Sequence, residues 1–165
     1  MSFSGAQEYE ASVDDVLALF VDPDVVRARY EEAGDREIEV LECGADGDGF
    51  VVRTSRVVEF DLPGFARKVL KPTNTMVQTD TWGPAAVDGA RDGRFEIEVK
   101  GAPVQGGGTM RLEPVDEGRT RHTVEGKLDV KVPLVGGKVA GWAEGPSRER
   151  LAAELEFHRR RLAGD

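Results

Sequence analysis

Cysteine occurs once in this chain, at Cys43, so neither an internal disulfide nor a multi-cysteine metal site is available to hold a fold together. Histidine occurs twice, at His122 and His158, with no H-E-x-x-H spacing. Two imidazoles need carboxylate help to make most metal sites, so no metal and no cofactor is expected. Cations are outnumbered, 22 Lys and Arg against 31 Asp and Glu, and the net charge of −9 argues against broad nucleic-acid binding, which needs clustered Lys and Arg for phosphate contacts. No window approaches the roughly 18 apolar residues of a membrane span. The start MSFSGAQEYEAS has neither the basic nor the apolar region of a secretion signal, so a cytoplasmic address is expected. Aromatic residues make up only 7% of the chain, which limits how an interior can be filled.

Alternating patterns, glycine and one long helical stretch are what the chain has in quantity. At 165 residues it reads as a single domain, 1–165, long enough to bury about 70% of its unfolded surface. Residues 2–10 alternate as a strand, with Phe3, Gln7 and Tyr9 on one side and acidic residues on the other. Ser12 then opens a capping-box-like start, S-V-D-D, ahead of Val16, Leu17 and Phe20. Asp22 with Pro23 opens a second start that Gly34 closes, so two short helices in tandem are expected.

From Arg36 to Lys131 the chain reads as about six antiparallel strands. Phe50, Val52, Thr54, Arg56, Val58 and Phe60 form the more apolar side of one strand, and their parity carries Arg56 inward. In the next strand Val77, Thr79 and Thr81 oppose Gln78 and Asp80. Further on, Phe95, Ile97 and Val99 alternate with charges, Met110 and Leu112 with polar residues, and His122, Val124, Gly126, Leu128 and Val130 with Arg121 to Lys131. Every strand alternates, so one face of the sheet is wet and the other covered.

The covering must come from the last stretch, a helix expected over about 134–162 with Pro133 at its start and Gly164 at its stop. Val135, Val139, Trp142 and Pro146 make one stripe, and Leu151, Leu155, His158 and Leu162 another nearly half a revolution away. The helix must therefore bend, slip phase or bury two faces, with Pro146 the obvious place. The element order gives an α+β fold, a curved antiparallel sheet of about seven strands around a long C-terminal helix. Few aromatics, and glycine at Gly106, Gly107, Gly108, Gly126, Gly136, Gly137, Gly141 and Gly145, predict an internal cavity, with the glycines of the first helical half leaving room for a guest.

The residues expected to line that cavity are Tyr9, Val52, Thr54, Arg56, Thr79, Thr81, Phe95, Ile97, Met110, His122, Val124, Val139 and Trp142, a few polar groups in an apolar chamber. Arg56 is the strongest polar candidate, because a guanidinium is costly to bury alone. Either it pairs with a carboxylate, or it meets a ligand's anionic group at the cavity mouth, or a bulge turns it outward. His122 shares parity with Val124 and Leu128, where an imidazole could titrate or hydrogen-bond a ligand. His158, on a leucine stripe, reads as a packed histidine. Gly106-Gly107-Gly108 lies inside a strand pattern and lacks phosphate-loop spacing, and Asp46-Gly47-Asp48-Gly49 lacks the ligand set of a calcium loop and reads as a hairpin turn. The insert from Phe65 to Lys71 is a basic amphipathic turn in an acidic protein. Phe65, Arg67, Lys68 and Lys71 read as a packed loop, as a lid, or as a foot making transient contact with an anionic membrane.

The element order, together with Leu62-Pro63-Gly64, Arg67-Lys68, Thr81-Trp82-Gly83-Pro84 and Val132-Pro133-Leu134-Val135-Gly136-Gly137-Lys138, resembles the helix-grip superfamily, also called START-like or SRPBCC and including the birch-pollen allergen. The three stretches are similar to an uncharacterised bacterial family within it. The resemblance covers essentially the whole chain. It implies a hydrophobic pocket between the sheet and the C-terminal helix, while no catalytic motif of the better-known enzymes carries over. The reading that follows is a noncatalytic protein that binds or carries a hydrophobic small molecule, a lipid or a polyketide-like aromatic. Its alternatives are a cyclase, dehydratase or hydrolase using the same cavity, and a protein-interaction module with a filled interior.

Overall fold

The computed structural model describes residues 2–164, and its elements follow the predicted order. Ser2–Tyr9 form β1, Val13–Phe20 form α1 and Pro23–Glu32 form α2. Then come β2 (Arg36–Asp46), β3 (Gly49–Glu59), β4 (Thr73–Trp82), β5 (Arg91–Val99), β6 (Val104–Asp116), β7 (Arg119–Val130) and α3 (Gly136–Leu162), with a short 3-10 turn over Gly64–Lys68 between β3 and β4. The sheet has seven strands in the order β1-β7-β6-β5-β4-β3-β2. All its pairings are antiparallel, and only the β1–β7 pairing joins strands distant in sequence.

The helix boundaries have local causes. The Ser12 side chain accepts a hydrogen bond from the Asp15 N–H at 3.1 Å, and Asp22 accepts one from the Asp24 N–H at 2.9 Å with Pro23 in the first turn. Gly34, at φ +88°, ends the helical pair, and Gly164, at φ +83°, follows α3. The long helix begins two residues later than 134, because Leu134 sits at φ +71° and leaves the chain non-helical until Gly136. A Cβ at Gly136 would stand 2.4 Å from the Val130 carbonyl oxygen, so the first turn of α3 is pressed against the end of β7.

Register fixes which side chains share the concave face. Phe50, Val52, Thr54, Arg56 and Val58 of β3 stand opposite Trp82, Asp80, Gln78, Met76 and Asn74 of β4. The same face continues through Phe95, Ile97 and Val99, then Gly106, Gly108, Met110 and Leu112, then His122, Val124, Gly126 and Leu128, and ends on Phe3, Gly5, Gln7 and Tyr9. The triple glycine lies in β6 where it approaches β7: a Cβ on Gly108 would fall 1.9 Å from the Glu125 carbonyl oxygen. Across the sheet, the ring of Phe3 occupies the place a Gly126 side chain would take, 2.4 Å from an added Cβ.

One strand contradicts the parity read from sequence. Thr79 and Thr81, expected to line the interior, lie on the outer face of β4, Thr79 half-buried and Thr81 exposed, while Asn74, Gln78 and Asp80 point inward. Met76 and Trp82 share that covered side, where Arg56 holds Gln78, Gln78 holds Asp80, and the Lys71 backbone holds Asn74.

The interior holds two large apolar clusters at opposite ends of α3. One gathers Phe3, Tyr9, the buried face of α1, Trp82, Phe95, Met110, Leu112 and Val124 around Leu151 and Leu155. The other gathers Leu62, Ala66, Val69, Leu70, Val99 and Val104 around Val139, with Trp142 packed against it. A smaller cluster of Val26, Tyr30 and Val52 joins α2 to β3.

Candidate functional site

The inner face of α2 carries Val25, Val26, Arg29 and Tyr30, all buried, so a guanidinium is forced into the same layer as the apolar residues beside it. Arg29 Nη1 donates to Glu154 Oε1 of α3 at 2.7 Å, and Arg29 Nη2 to the Tyr30 hydroxyl. The guanidinium carbons of Arg29 and Arg56 lie 4.4 and 4.0 Å from the Tyr30 ring centroid, close enough for cation–π attraction. Arg56 Nε donates to Asp35 Oδ2 at 3.0 Å, with side-chain exposures of 4% and 2%, and Arg150 Nη2 of α3 donates to the same oxygen at 2.7 Å. Arg56 Nη2 reaches Gln78 Oε1 at 3.1 Å, and Gln78 Nε2 reaches Asp80 Oδ1 at 2.9 Å. A connected polar layer thus joins α2, β3, β4 and α3. Of the three outcomes open to Arg56, the structure realises pairing with a carboxylate.

Two histidines close the other side of this layer. Tyr9 Oη and His122 Nδ1 share a hydrogen bond of 3.0 Å, and the Phe20 ring lies 5.1 Å from His122 and 4.4 Å from His158. Burial, reinforced by Arg29, pushes the His122 pKa down to about 3. His158 is held well below the ordinary imidazole range by burial, by Arg29 and by His122. Both rings are neutral at physiological pH, so His122 does not titrate where the sequence reading places it. Burial raises the Tyr9 phenol above its ordinary value, with Glu154 adding to the effect. Asp80 is raised by burial, against the pull of Arg29 and of its Gln78 hydrogen bond. Arg29 is held firmly charged, because Glu154, Tyr30 and Asp80 outweigh the lowering effect of its burial.

Buried side-chain atoms without a hydrogen-bond partner concentrate here. Five of the seven among the described residues are Arg29 Nε, Thr54 Oγ1, Arg56 Nη1, His122 Nε2 and His158 Nδ1; the other two, Arg91 Nε and Arg119 Nε, lie elsewhere. Each such atom costs about 1–3 kcal/mol against a satisfied one. A layer that retains five has hydrogen-bonding capacity beyond what its own side chains use.

Beside the polar layer, between the two large clusters, α3 passes over a sheet that does not fill the space beneath it. No residue between Ala140 and Leu151 is buried, although the helix is continuous through Pro146. Below it, Met76, Gln78, Ile97, Gly106, Gly108 and Leu128 are only half-buried on the concave face. At 3.6 residues per turn, Ala140, Ala143, Ser147, Leu151, Leu155 and His158 share one side of α3 within about a third of a turn. In the middle of the helix that side carries Ala143, Glu144 and Ser147, all half-buried. The fully buried Val139 stands about 100° away from Ala140, so the first half of α3 buries a second side. Of the glycines expected to make room, Gly136 is pressed against Val130 and Gly137 is exposed, while an added Cβ at Gly145 meets nothing within 4 Å.

Phe3 covers Gly126, and the rings of Tyr9, Phe20, Trp82, His122 and His158 fill one end of this gap. A separate groove of about 420 Å³ runs outside it between Ser4–Gln7 of β1 and Arg148, Glu149, Ala152 and Leu155 of α3.

Of the expected lining residues, Tyr9, Val52, Thr54, Arg56, Phe95, Ile97, Met110, His122 and Val124 share the concave face. Val139 is fully buried in the second cluster, and Trp142 lies half-buried against it. The structure joins Tyr9 to His122 directly. Arg56 reaches Tyr30, and through it the Arg29 side, not His122 itself. Sequence reasoning missed Arg29, Tyr30, Asp35, Gln78, Asp80, Arg150 and Glu154. Arg29 left a signal, a charge on the stripe of Val25, Val26 and Tyr30, and so did Gln78 and Asp80, which share parity with Met76 and Trp82.

Comparison with known proteins fits this geometry. A family model described as a protein of unknown function, DUF2505, matches residues 4–162. An uncharacterized protein of Mycobacterium tuberculosis is 30% identical over 146 residues, covering 84% of this chain and 83% of its own. Among solved structures, the Zhui aromatase/cyclase from Streptomyces sp. R1128 is similar at TM-score 0.64 and 16% identity, over 99% of this chain and 93% of that one. The lipid transfer and protein localization domain of human StarD13 gives 0.61 at 19%, over 96% and 75%. A START superfamily protein from Mycobacterium smegmatis gives 0.55 at 16%, over 98% of both chains. At these identities the likeness is one of fold: a START-like helix-grip.

Proposed function

The chain belongs to the DUF2505 family, and from that premise we propose that it binds a hydrophobic small molecule, of the lipid or polyketide-like aromatic kind, between the concave face of the sheet and α3. The observation that carries the reading is the middle of α3, where 141–150 contain no buried residue above a half-exposed, largely apolar sheet. A helix laid over a core ordinarily buries an apolar stripe along its length. Here the stripe is interrupted at Ala143, Glu144 and Ser147 and resumes at Leu151. An apolar body in the gap would meet Met76, Ile97 and Leu128 below and Trp142 at one side. A polar end would meet Gln78 and the unpartnered Nη1 of Arg56. An apolar chamber with a few convergent polar groups is the usual composition of a small-molecule site. The names of two structural relatives, a lipid transfer domain and an aromatase/cyclase, point to the same ligand classes.

Titration of the purified protein with fatty acids and with polycyclic phenols tests this, with fluorescence of Trp142 as the readout and native mass spectrometry of protein from its own host as a second. Saturable binding tighter than about millimolar is expected, and Ala143→Phe with Ser147→Phe should abolish it. Absence of any saturable ligand and of any co-purifying species would overturn the reading.

A further inference from the structure

The two ends of the molecule differ in charge. Three segments meet at the end where α3 begins: residues 60–72 with the 3-10 turn, the β5–β6 connection at 99–104, and residues 129–138 leading into α3. They share one apolar cluster, through Leu62, Ala66, Val69 and Leu70, then Val99 and Val104, then Val130, Val132 and Val135. Six cations project from them, Arg67, Lys68, Lys71, Lys100, Lys131 and Lys138, all exposed, against two acids, Asp61 and Asp129. On a chain of net charge −9 this end is locally cationic. None of the six forms an ion pair with a described residue, whereas Arg36, Arg111, Arg119 and Arg121 elsewhere all do.

The same end presents apolar side chains outward. Leu134 is 102% exposed and held out on a backbone at φ +71°, a conformation leucine rarely adopts. Phe65 is half-buried with Lys138 Nζ 4.4 Å from its ring centroid. The other fully exposed large aliphatic residue, Val87, stands beside Asp88 in a loop without cations. A projecting leucine ringed by unpaired lysines has the two components of binding to an anionic bilayer: apolar insertion at the headgroup boundary and attraction to negative lipid. The acidic remainder of the chain does not cancel this, because exposed charges more than about 8–10 Å away are largely screened at physiological salt.

We propose that this end, with Leu134 at its tip and Arg67, Lys68, Lys71, Lys100, Lys131 and Lys138 around it, docks on an anionic phospholipid surface. The surface is distinct from the interior gap, and docking needs no bound ligand.

Co-sedimentation with vesicles of phosphatidylcholine alone, and of phosphatidylcholine mixed with phosphatidylglycerol, tests it at low and at physiological salt. The protein should sediment with the mixed vesicles only, less so as salt rises. Removal of each cation should lower partitioning about five-fold, so the triple variant Arg67→Glu, Lys68→Glu, Lys71→Glu should lose it. Leu134→Asp should weaken it while sparing the fold, since aspartate tolerates positive φ; circular dichroism of the same sample checks the fold. Arg53→Glu, exposed on β3 and outside the patch, should change nothing. The Ala143→Phe, Ser147→Phe protein should still sediment, which separates docking from interior binding. No sedimentation with mixed vesicles, equal sedimentation with both kinds, or a folded triple variant that partitions as the parent does would each overturn the proposal.

Discussion

Two guanidinium groups stack on one phenol ring, at Arg29, Arg56 and Tyr30, and each needs its carboxylate to stay buried. Arg56 depends on Asp35, and both side chains are almost wholly enclosed. Removing one partner of a buried pair leaves an uncompensated charge, which typically costs about 3–5 kcal/mol. Asp35→Ala should therefore lower the urea midpoint by a corresponding amount, and Asp35→Asn by less, since the amide can still accept from Arg56. A loss below about 1 kcal/mol for Asp35→Ala would mean that water reaches Arg56.

The histidines supply a pH dependence at the same scale. Their folded pKa values lie below the unfolded value of about 6.5. Below that pH the unfolded chain binds protons that the native state refuses, so stability falls as the solution is acidified, for His122 until about pH 3. His122 contributes a loss of about 2 kcal/mol between pH 7 and 5, and His158 acts in the same direction. Asp80, whose folded pKa is raised, acts in the opposite direction: its contribution favours the native state at low pH and is lost as pH rises through its folded pKa. Urea unfolding at pH 7 and pH 5 should show the histidine slope, and His158→Leu should reduce it. An unchanged slope in that variant would place the acid sensitivity elsewhere.

At the scale of elements, α3 divides its tasks along its length. Leu155, 3% exposed, anchors the C-terminal half in the larger cluster, and Leu155→Ala should cost about 2–5 kcal/mol. Gly145 lies within the helix, and an added Cβ meets nothing. Gly145→Ala should therefore stabilise the protein by about 0.5–1 kcal/mol through backbone entropy alone and leave ligand uptake unchanged. Thermal melts of the two variants separate anchor from roof; a Gly145→Ala protein that melts lower would show that the helix is tighter there than its open side indicates.

The long helix was legible as an element, in its length, its stop at Gly164 and its possession of anchoring leucines. Its two stripes were legible too, Val139 with Trp142 in the first half and Leu151, Leu155 and His158 in the second, but the stretch between them was not, because Ala143, Glu144 and Ser147 carry too little hydrophobicity to mark a stripe. The strands were legible wherever the covered side was the apolar side, as in β3, β5, β6 and β7. β4 was misread for the opposite reason: its covered side holds Asn74, Gln78 and Asp80.

At the scale of the whole molecule, seven antiparallel strands and one helix leave a single through-space to be filled, and two large clusters fill its ends. A ligand seated between them would join them and stabilise the native state by mass action. At a free concentration about 100-fold above its Kd, a bound ligand adds about 2.7 kcal/mol, which for a chain of this length raises the Tm by about 5–10 °C. That shift should vanish in the Ala143→Phe, Ser147→Phe protein. A ligand that raises the Tm of both proteins equally binds somewhere other than the gap.

By itself the sequence determined the element order, the caps, the antiparallel meander and, through its motif stretches, the helix-grip family, since these depend on local propensity and on periods of two and 3.6 residues. Only the tertiary structure decided which polar residues are buried together. Arg29 comes from α2, Arg56 from β3, Asp80 from β4 and Arg150 and Glu154 from α3, and no spacing along the chain encodes such a meeting. It decided equally which part of the space under α3 is filled, because that depends on side chains from several strands and on the rings that close one end.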